Sequence, residues 1–265
     1  MKHVLYLCFL ALITVNTVEA AEPAASGAEA ASADTEGTED YTEITSPWKT
    51  EAELGFVNTT GNTETTSTAA KFDTTYEVEK WRHNIHAEAF GQETQDETTK
   101  ESVVSAERYQ LSGKTDYKFT ELDYAFAVAD LKKDRFSGFE YEHVFGVGYG
   151  RKLIKQLDME LDVEAGPGLR VYKVDNAPES EDEAVLRLSA DYWWQFTRSA
   201  KFTQKLKTDI GEEFTASESI TGLQAAINST LALKLTHTIR HKSKVPVDTE
   251  KTDTETAVTL VYSFK

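Results

Sequence analysis

The feature that most constrains this chain is a period of two in its hydrophobic residues, which runs from residue 48 to residue 264. In each segment one parity is apolar and the other is mostly polar, as with Leu54 and Phe56 against Glu51 and Glu53. Successive side chains of a β-strand point to opposite faces, so this alternation indicates strands with one apolar and one polar face. Twelve such segments follow one another, and no stretch keeps a 3.6-residue period. The pattern predicts an all-β chain of about twelve strands.

The connections between these segments alternate between tight and loose. The tight ones are Glu79-Lys80, Thr120 to Leu122, Lys155-Gln156, Thr197 to Ala200 and Asn228 to Thr230. The loose ones are Asn58 to Asn62, Gln92 to Glu101, Lys133 to Gly138, Val174 to Glu183, Glu212 to Glu218 and Lys242 to Lys251. Short turns at one end and longer polar loops at the other are typical of an up-and-down antiparallel transmembrane β-barrel of the outer-membrane type. Both ends of the barrel then lie on the short-turn, periplasmic side.

Aromatic residues gather near the tight connections. They are Trp48, Tyr76, Trp81, Tyr117, Phe119, Tyr124, Tyr149, Trp194, Phe196, Phe202, Tyr262 and Phe264. Amphipathic rings favour the headgroup level of a bilayer, and a membrane barrel carries a girdle of them at its interfaces. The clustering at one end therefore favours a membrane barrel over a soluble sandwich.

The first residues predict export. A short basic start precedes the apolar run Val4 to Val15, and Val18-Glu19-Ala20 supplies small residues for cleavage after Ala20. The run is too short to span a bilayer and fits a secretory signal peptide over residues 1–20. Residues 21–46 are acidic and rich in small polar residues, which predicts a disordered leader. Residues 47–265 then form the barrel, and the expected location is the cell outer membrane.

Charge and cysteine content exclude several classes of function. The net charge is −17, and no basic stripe is available to neutralise phosphates, so nucleic acid is not an expected partner. The single cysteine, Cys8, lies inside the predicted signal peptide, which leaves no thiol in the exported chain. His83 and His86 would lie on opposite faces of one strand. We expect no metal site, no catalytic constellation and no cofactor, and therefore no enzyme.

The middle strands carry three further expectations. The fifth segment is assigned an outward apolar face, formed by Tyr124, Phe126 and Val128. Glycines at inward positions of the sixth and seventh segments predict a bare inner wall; these are Gly146, Gly148, Gly150, Gly166 and Gly168. Such a wall provides room for large side chains such as Arg108 or Arg187, or it widens a passage; the first alternative is favoured. Pro167 cannot donate to a strand ladder, so a bulge is expected there.

Several stretches together resemble a known family. They are Glu53 to Glu64, Asp134 to Gly138, Gly146 to Leu153, Glu164 to Gly168 and Lys251 to Phe264. The chain resembles the domain of unknown function 481, whose members are labelled salt-induced outer membrane proteins. The resemblance spans the whole predicted barrel, and it implies an outer-membrane location and a link to osmotic or salt conditions. It implies no particular activity and no functional residues.

The charged residues of inward parity are the candidate functional residues. The residues expected to line the lumen are Glu51, Glu53, Arg82, Glu88, Arg108, Lys114, Asp116, Glu164, Arg170, Arg187, Asp191, Lys205, Lys207, Lys234, Arg240, Asp253 and Glu255. So many charges cannot be buried unless the lumen is wet or the charges are closely paired. The first reading predicts a narrow passive channel for small hydrophilic solutes. The second predicts a structural, envelope-stabilising barrel with a plugged lumen, and a membrane hydrolase is a third, weaker hypothesis.

Partners follow from the same hypotheses. A membrane barrel contacts outer-membrane lipids and lipopolysaccharide, and a channel would also bind small solutes. The amphipathic last strand, Thr256 to Phe264, ends in an aromatic residue, the pattern that the barrel-assembly machinery reads, although Lys265 follows it.

Overall fold

A computed structural model describes residues 46–59, 65–95, 102–135, 137–246 and 249–264. The predicted signal peptide and the acidic leader up to residue 45 lie outside these ranges, as does Lys265. Within them, no helix is long and apolar enough to cross a bilayer.

The described residues form twelve β-strands. The strands are β1 (Trp48–Thr59), β2 (Thr65–Glu77), β3 (Trp81–Gln95), β4 (Ser102–Lys118), β5 (Asp123–Asp134), β6 (Phe139–Lys155), β7 (Met159–Val174), β8 (Glu181–Trp194), β9 (Ala200–Gly211), β10 (Thr215–Ala226), β11 (Leu231–Lys242) and β12 (Thr252–Phe264). Each strand pairs antiparallel with its neighbours in the chain, and β1 pairs with β12 to close the barrel. Closure leaves no free sheet edge along the paired length. The predicted fold class, an up-and-down transmembrane barrel of outer-membrane type, is confirmed.

The two ends of the barrel differ, as the connections predicted. At the turn end, side chains close the short turns: the Asn228 carboxamide oxygen accepts hydrogen bonds from the backbone N–H groups of Thr230 (2.8 Å) and Leu231 (2.9 Å). At the loop end, Gly138 and Asn176 adopt positive φ angles of 77° and 62°, which glycine and asparagine tolerate best.

One predicted loop is wrong. The β9–β10 connection is short, because β9 ends at Gly211 and β10 begins at Thr215. Glu218, which the sequence pattern places in this loop, instead lies within β10. Polar Thr, Ser and Glu residues dominate the first half of β10, so its sequence is typical of a loop although the segment is a paired strand of the sheet.

The outer surface is apolar and the interior is polar. Large hydrophobic side chains of the outward parity are exposed along the strands, including Leu54, Leu111, Val147 and Leu233. At the turn end outward aromatic rings form a girdle, in which the ring centroids of Trp48 and Tyr76 are 4.8 Å apart and those of Trp81 and Tyr117 are 5.0 Å apart. An apolar exterior around a polar interior is the inverse of a soluble protein and is the surface that a bilayer solvates.

The phase of β5 differs from the prediction. Tyr124 and Phe126 are buried inside the barrel, and the outward positions are occupied by small residues such as Ala125 and Ala127. Tyr124 is therefore not part of the girdle. Both parities of β5 are apolar, so periodicity alone cannot select its outward face.

The bulge expected at Pro167 is also absent. The register of β6 and β7 is continuous on either side of the proline, from Gly146–Gly168 to Tyr149–Ala165. The register shifts of this pair lie near its two ends, between Phe139 and Tyr141 and between Lys152 and Ile154. Pairing is interrupted at Val147 and Gly148, opposite Pro167 and Gly166, and resumes in the same register, so no residue is inserted.

Candidate functional site

The glycine wall has two causes: neighbouring side chains fill it on β6, and on β7 a Cβ at Gly166 or Gly168 would meet the β6 backbone. A Cβ at Gly150 would overlap the Tyr124 ring, and a Cβ at Gly148 would lie 2.8 Å from Phe126. A Cβ at Gly146 would lie 3.5 Å from the Arg187 side chain. The β6 glycines therefore make room for large inward side chains, the alternative favoured above.

Around Tyr124 lies the first of three groups of paired charges in the interior, the Tyr124 group. Its members are Arg82, Lys114, Asp116, Tyr124, Lys152, Glu160, Asp162 and Glu164. Arg82 bridges Asp116 at 2.6 Å and Asp162 at 3.0 Å, and the Tyr124 hydroxyl donates to Glu164 at 2.8 Å. The Arg82 guanidinium also lies 5.1 Å from the centroid of the Tyr124 ring, a cation–π distance. The group fills the turn-end half of the barrel beside β3 to β7.

The second group, the central network, crosses the barrel at mid-height. It contains five cations and five anions from nine strands: Lys71, Arg108, Arg187, Lys207 and Arg240 with Glu88, Asp130, Asp209, Glu218 and Glu255. Except for Lys207, every one of these side chains is at most 15 % exposed. The positive and negative charges of the network are equal in number, as is required when charged side chains are buried away from water.

Arg108 and Arg240 connect opposite parts of the wall within this network. Arg108 on β4 contacts Glu88 at 2.5 Å and, across the interior, Glu255 on β12 at 2.7 Å. Arg240 on β11 contacts Glu218 at 2.9 Å, Glu255 at 3.2 Å and Glu88 at 3.8 Å. Strands that are distant around the barrel are therefore held together through its centre.

The third group, the loop-end cap, lies at the loop end beside β6, β7 and the β9–β10 connection. Phe139, Tyr172 and Phe214 form a cluster of buried rings with centroids 5.2 to 5.8 Å apart. Arg170 is fully buried against Phe214, with 4.0 Å between guanidinium and ring, and it donates to Glu183 at 2.7 Å. Arg170 also donates to the backbone oxygen of Phe214 at 2.8 Å, so the cap ties β7 to the β9–β10 connection.

Two further pairs lie near the turn end and differ in burial. Lys234 on β11 contacts Glu53 on β1 at 2.5 Å, and the Glu53 side chain is only 3 % exposed. Lys205 and Asp191, on adjacent strands, are 3.6 Å apart and are 57 % and 52 % exposed. The interior is therefore dry beside β1 and open to solvent beside β8 and β9.

The seventeen predicted residues fall into these groups as follows. The Tyr124 group contains Arg82, Lys114, Asp116 and Glu164; the central network contains Glu88, Arg108, Arg187, Lys207, Arg240 and Glu255; the loop-end cap contains Arg170; and the turn-end pairs contain Glu53, Asp191, Lys205 and Lys234. Two of the seventeen stand apart. Glu51 accepts a hydrogen bond from Ser263 at 3.2 Å, and Asp253 is exposed near the loop end.

Several members of these groups were not among the predicted residues. Asp130 and Tyr124 lie on the strand whose phase was misassigned, and Glu218 lies in the misassigned loop. Asp209 has the same parity as Lys205 and Lys207, so the alternation of the sequence already indicates that it faces inward. Asp209 and Glu218 make the inner face of β9 to β11 less basic than predicted, and Asp130 adds a third anion on β5.

The histidines do not assemble a metal site. Within the described ranges, no group of three or more His, Cys, Asp or Glu residues could hold a metal ion. His86 faces inward and pairs with Asp73 at 2.8 Å, whereas His83 contacts Thr115 at 3.1 Å on the opposite face. His237 also bonds a threonine, Thr256, at 2.9 Å.

Comparisons with known proteins agree with this architecture. Residues 52–264 match the family described as "Protein of unknown function, DUF481". The chain is 30 % identical over 228 residues to the "Uncharacterized protein YdiY" of Escherichia coli (strain K12), covering 85 % of this chain and 87 % of that protein. Among solved structures, the NanC porin superposes with a TM-score of 0.50 at 11 % identity, covering 82 % of this chain and 99 % of the porin. The KdgM porin gives a TM-score of 0.43 at 10 % identity, covering 82 % and 99 %.

Proposed function

The chain belongs to the DUF481 family, and from that premise we propose that it is an outer-membrane barrel with a lumen closed by paired charges, which stabilises the envelope rather than conducting solutes at rest. The observation that carries this proposal is the central network. Its ten charged side chains balance in sign, and nine of them are at most 15 % exposed.

The energetics of buried charge support a closed lumen. Moving an ion from water into the barrel interior costs roughly several kcal/mol. Pairing offsets this cost only where every buried charge contacts a partner of opposite sign. Arg240 contacts three carboxylates, and Arg108 contacts two. An ion that passed through the centre would have to displace these partners and would leave buried charges unpaired.

The exterior supports the outer-membrane location. The exposed apolar side chains and the turn-end girdle suit a bilayer, and the predicted signal peptide would deliver the chain to the periplasm. In that orientation the short turns face the periplasm and the loops face outward. Outer-membrane lipids and lipopolysaccharide are then its surroundings, and the assembly machinery would read the last strand.

A narrow channel for small hydrophilic solutes is the second candidate, and the Lys205–Asp191 pair favours it. Both side chains are more than half exposed although they face inward, so water enters part of the turn-end half. A channel of this kind requires the central network to rearrange. Neither candidate assigns the chain an enzymatic activity.

Single-channel conductance of the refolded protein in a planar bilayer separates the two candidates. We expect the wild type to remain silent and the charge-balanced double variant Arg240→Ala with Glu218→Ala to conduct, because it removes two large partners from the centre. The matched control is Lys205→Ala with Asp191→Ala, which deletes an exposed pair and should leave the barrel silent. Heat-modifiable gel migration establishes that each barrel is folded.

Discrete conductance steps from the folded wild type would contradict the closed lumen and establish the channel. The reversal potential across a salt gradient would then report whether cations or anions are preferred.

A further inference from the structure

The seam that closes the barrel is paired along only part of its length. The register between β1 and β12 runs from Thr50–Phe264 to Leu54–Leu260. Beyond this point β1 stays paired with β2 as far as Thr59–Thr65, and β12 stays paired with β11 as far as His241–Thr252. In the described parts of the two strands, their loop-end halves therefore separate from each other while each remains in the sheet.

A cavity of about 390 Å³ borders this unpaired stretch and extends through the interior to β3, β4 and β5. Its lining combines inward residues, such as Ala69, Gln92 and Arg108, with Phe56 and Val258. Phe56 and Val258 face the bilayer and are 68 % and 47 % exposed. Residues of both parities on β1 and β12 thus border the cavity where these two strands are unpaired. Its volume lies in the range of small-molecule sites, roughly 300 to 1,000 Å³.

The unpaired stretch of the seam lies at the depth of the outer half of the bilayer. Phe56 is eight residues beyond Trp48 of the turn-end girdle, which is roughly 26 Å along the strand and about 20 Å along the membrane normal at a typical tilt. The apolar band of such barrels is about 25 Å tall. Backbone groups that leave the ladder at this depth need polar partners, because hydrocarbon supplies none.

The charges around the cavity select the kind of polar group that fits it. The two arginines in the lining, Arg108 and Arg240, are already held by Glu88, Glu218 and Glu255. Asp253, which also lines the cavity, is exposed. An anionic headgroup would meet neutralised cations and an additional carboxylate, whereas an amine would meet an available acceptor.

We propose that the unpaired half of the β1–β12 seam is a lateral binding site for a single-chain amphiphile with a cationic amine head, which enters from the outer leaflet. Its alkyl chain lies between Phe56 and Val258 and remains in contact with lipid. Its amine lies inside the seam beside Asp253. Its inner wall shares Arg108, Arg240 and Glu255 with the central network, whereas Phe56, Asp253 and Val258 lie outside that network.

Quenching of a tryptophan placed on the seam tests this site. The probe is 12-bromododecylamine, added to the refolded Phe56→Trp variant in phosphatidylcholine vesicles, with the wild-type signal of the four native tryptophans subtracted. The matched control is Leu186→Trp, which is also outward-facing and lies eight residues from turn-end Trp194. We expect saturable quenching of the seam reporter and only gradual, non-saturating quenching of the control.

Two additional variants of the seam reporter locate the ligand. Ala257→Phe fills the cavity from its inner side and should abolish saturable quenching, while circular dichroism and heat-modifiable migration show that the barrel is folded. Asp253→Asn should weaken binding of the amine about threefold, as expected for one partly exposed ion pair. The alkyl sulfate of the same chain length should quench both reporters equally and without saturation.

Three results would overturn the proposal. Equal quenching at the seam and at the control position would mean bulk partitioning, and saturable binding of the sulfate at the seam would refute the assignment of an amine head. Absence of quenching in a folded seam reporter would exclude an amphiphile from this site. This holds whether or not the barrels form dimers through the unpaired strand edges.

Discussion

Replacing Lys234 by methionine tests whether the charged groups of the interior are shielded from water. Methionine keeps most of the length of the lysine side chain but removes its charge, so Glu53 loses the cation that lies 2.5 Å away. Glu53 is 2 % exposed as a residue, and its remaining hydrogen-bond donor is the Thr259 hydroxyl at 3.1 Å. The substitution therefore leaves a carboxylate that water cannot reach.

The magnitude follows from this burial. Breaking a buried pair by removing one partner costs about 3 to 5 kcal/mol. The Lys234 side chain is 21 % exposed, which favours the lower end of that range, about 3 kcal/mol. This corresponds to a decrease of roughly two orders of magnitude in the folding equilibrium constant. Lys205→Met, by contrast, removes a pair whose charged atoms are 3.6 Å apart and whose two side chains are more than half exposed. This loss should lower the free energy of unfolding by only about 0 to 1 kcal/mol.

The assay is equilibrium urea unfolding of the refolded barrel in detergent micelles, followed by tryptophan fluorescence. Lys234→Met should lower the unfolding midpoint with an unchanged slope, and Lys205→Met, the matched control, should nearly overlay the wild type. The double variant Lys234→Met with Glu53→Gln should recover most of the loss, because neither partner is then charged.

Equal midpoints for the two single variants would refute the reasoning. They would mean that solvent reaches Glu53 as freely as Asp191, and the dry, paired interior would have to be abandoned together with the closed lumen.

Two further predictions concern close packing and the loops. Gly148→Ala should destabilise the barrel by about 1 to 3 kcal/mol in the same unfolding assay, because its Cβ would overlap the Ala165 carbonyl oxygen, whereas Gly113→Ala, with nothing within 4 Å of its Cβ, should be neutral. Glu213 in the β9–β10 connection accepts a hydrogen bond from Lys244 at 2.8 Å, which lowers the pKa of Glu213 and raises that of Lys244. Any stability that this contact provides is therefore present at neutral pH and is lost as pH falls through the lowered pKa of Glu213. An NMR titration in which the Glu213 carboxyl has an ordinary pKa would contradict the contact.

Much of the architecture was predictable because membrane barrels obey a simple local rule. Alternation along a strand needs only neighbouring residues, and turn residues such as Asn228 and Thr197 bond to residues two or three positions away. Strand number, the apolar exterior and the alternation of turns with loops follow from such local signals. The seventeen charged candidates were found in the same way, from their parity.

Prediction failed where a strand has two similar faces. In β5 the rings of Tyr124 and Phe126 alternate with alanines, so either parity could face lipid. The decisive information lies on β6, where Gly148 and Gly150 leave space for the two rings. That space exists only after the strands have paired, so the sequence of β5 alone does not contain it.

The sequence by itself determined that this chain forms twelve two-faced strands with charges on the inner face, because alternation is a local property. Only the tertiary structure decided which charge meets which, as with Arg108 and Glu255, 147 residues apart in the chain. It also decided that the closing seam ends at Leu54–Leu260. The physical reason is that closure and strand stagger bring distant segments to the same height in the barrel, and no local pattern records that height.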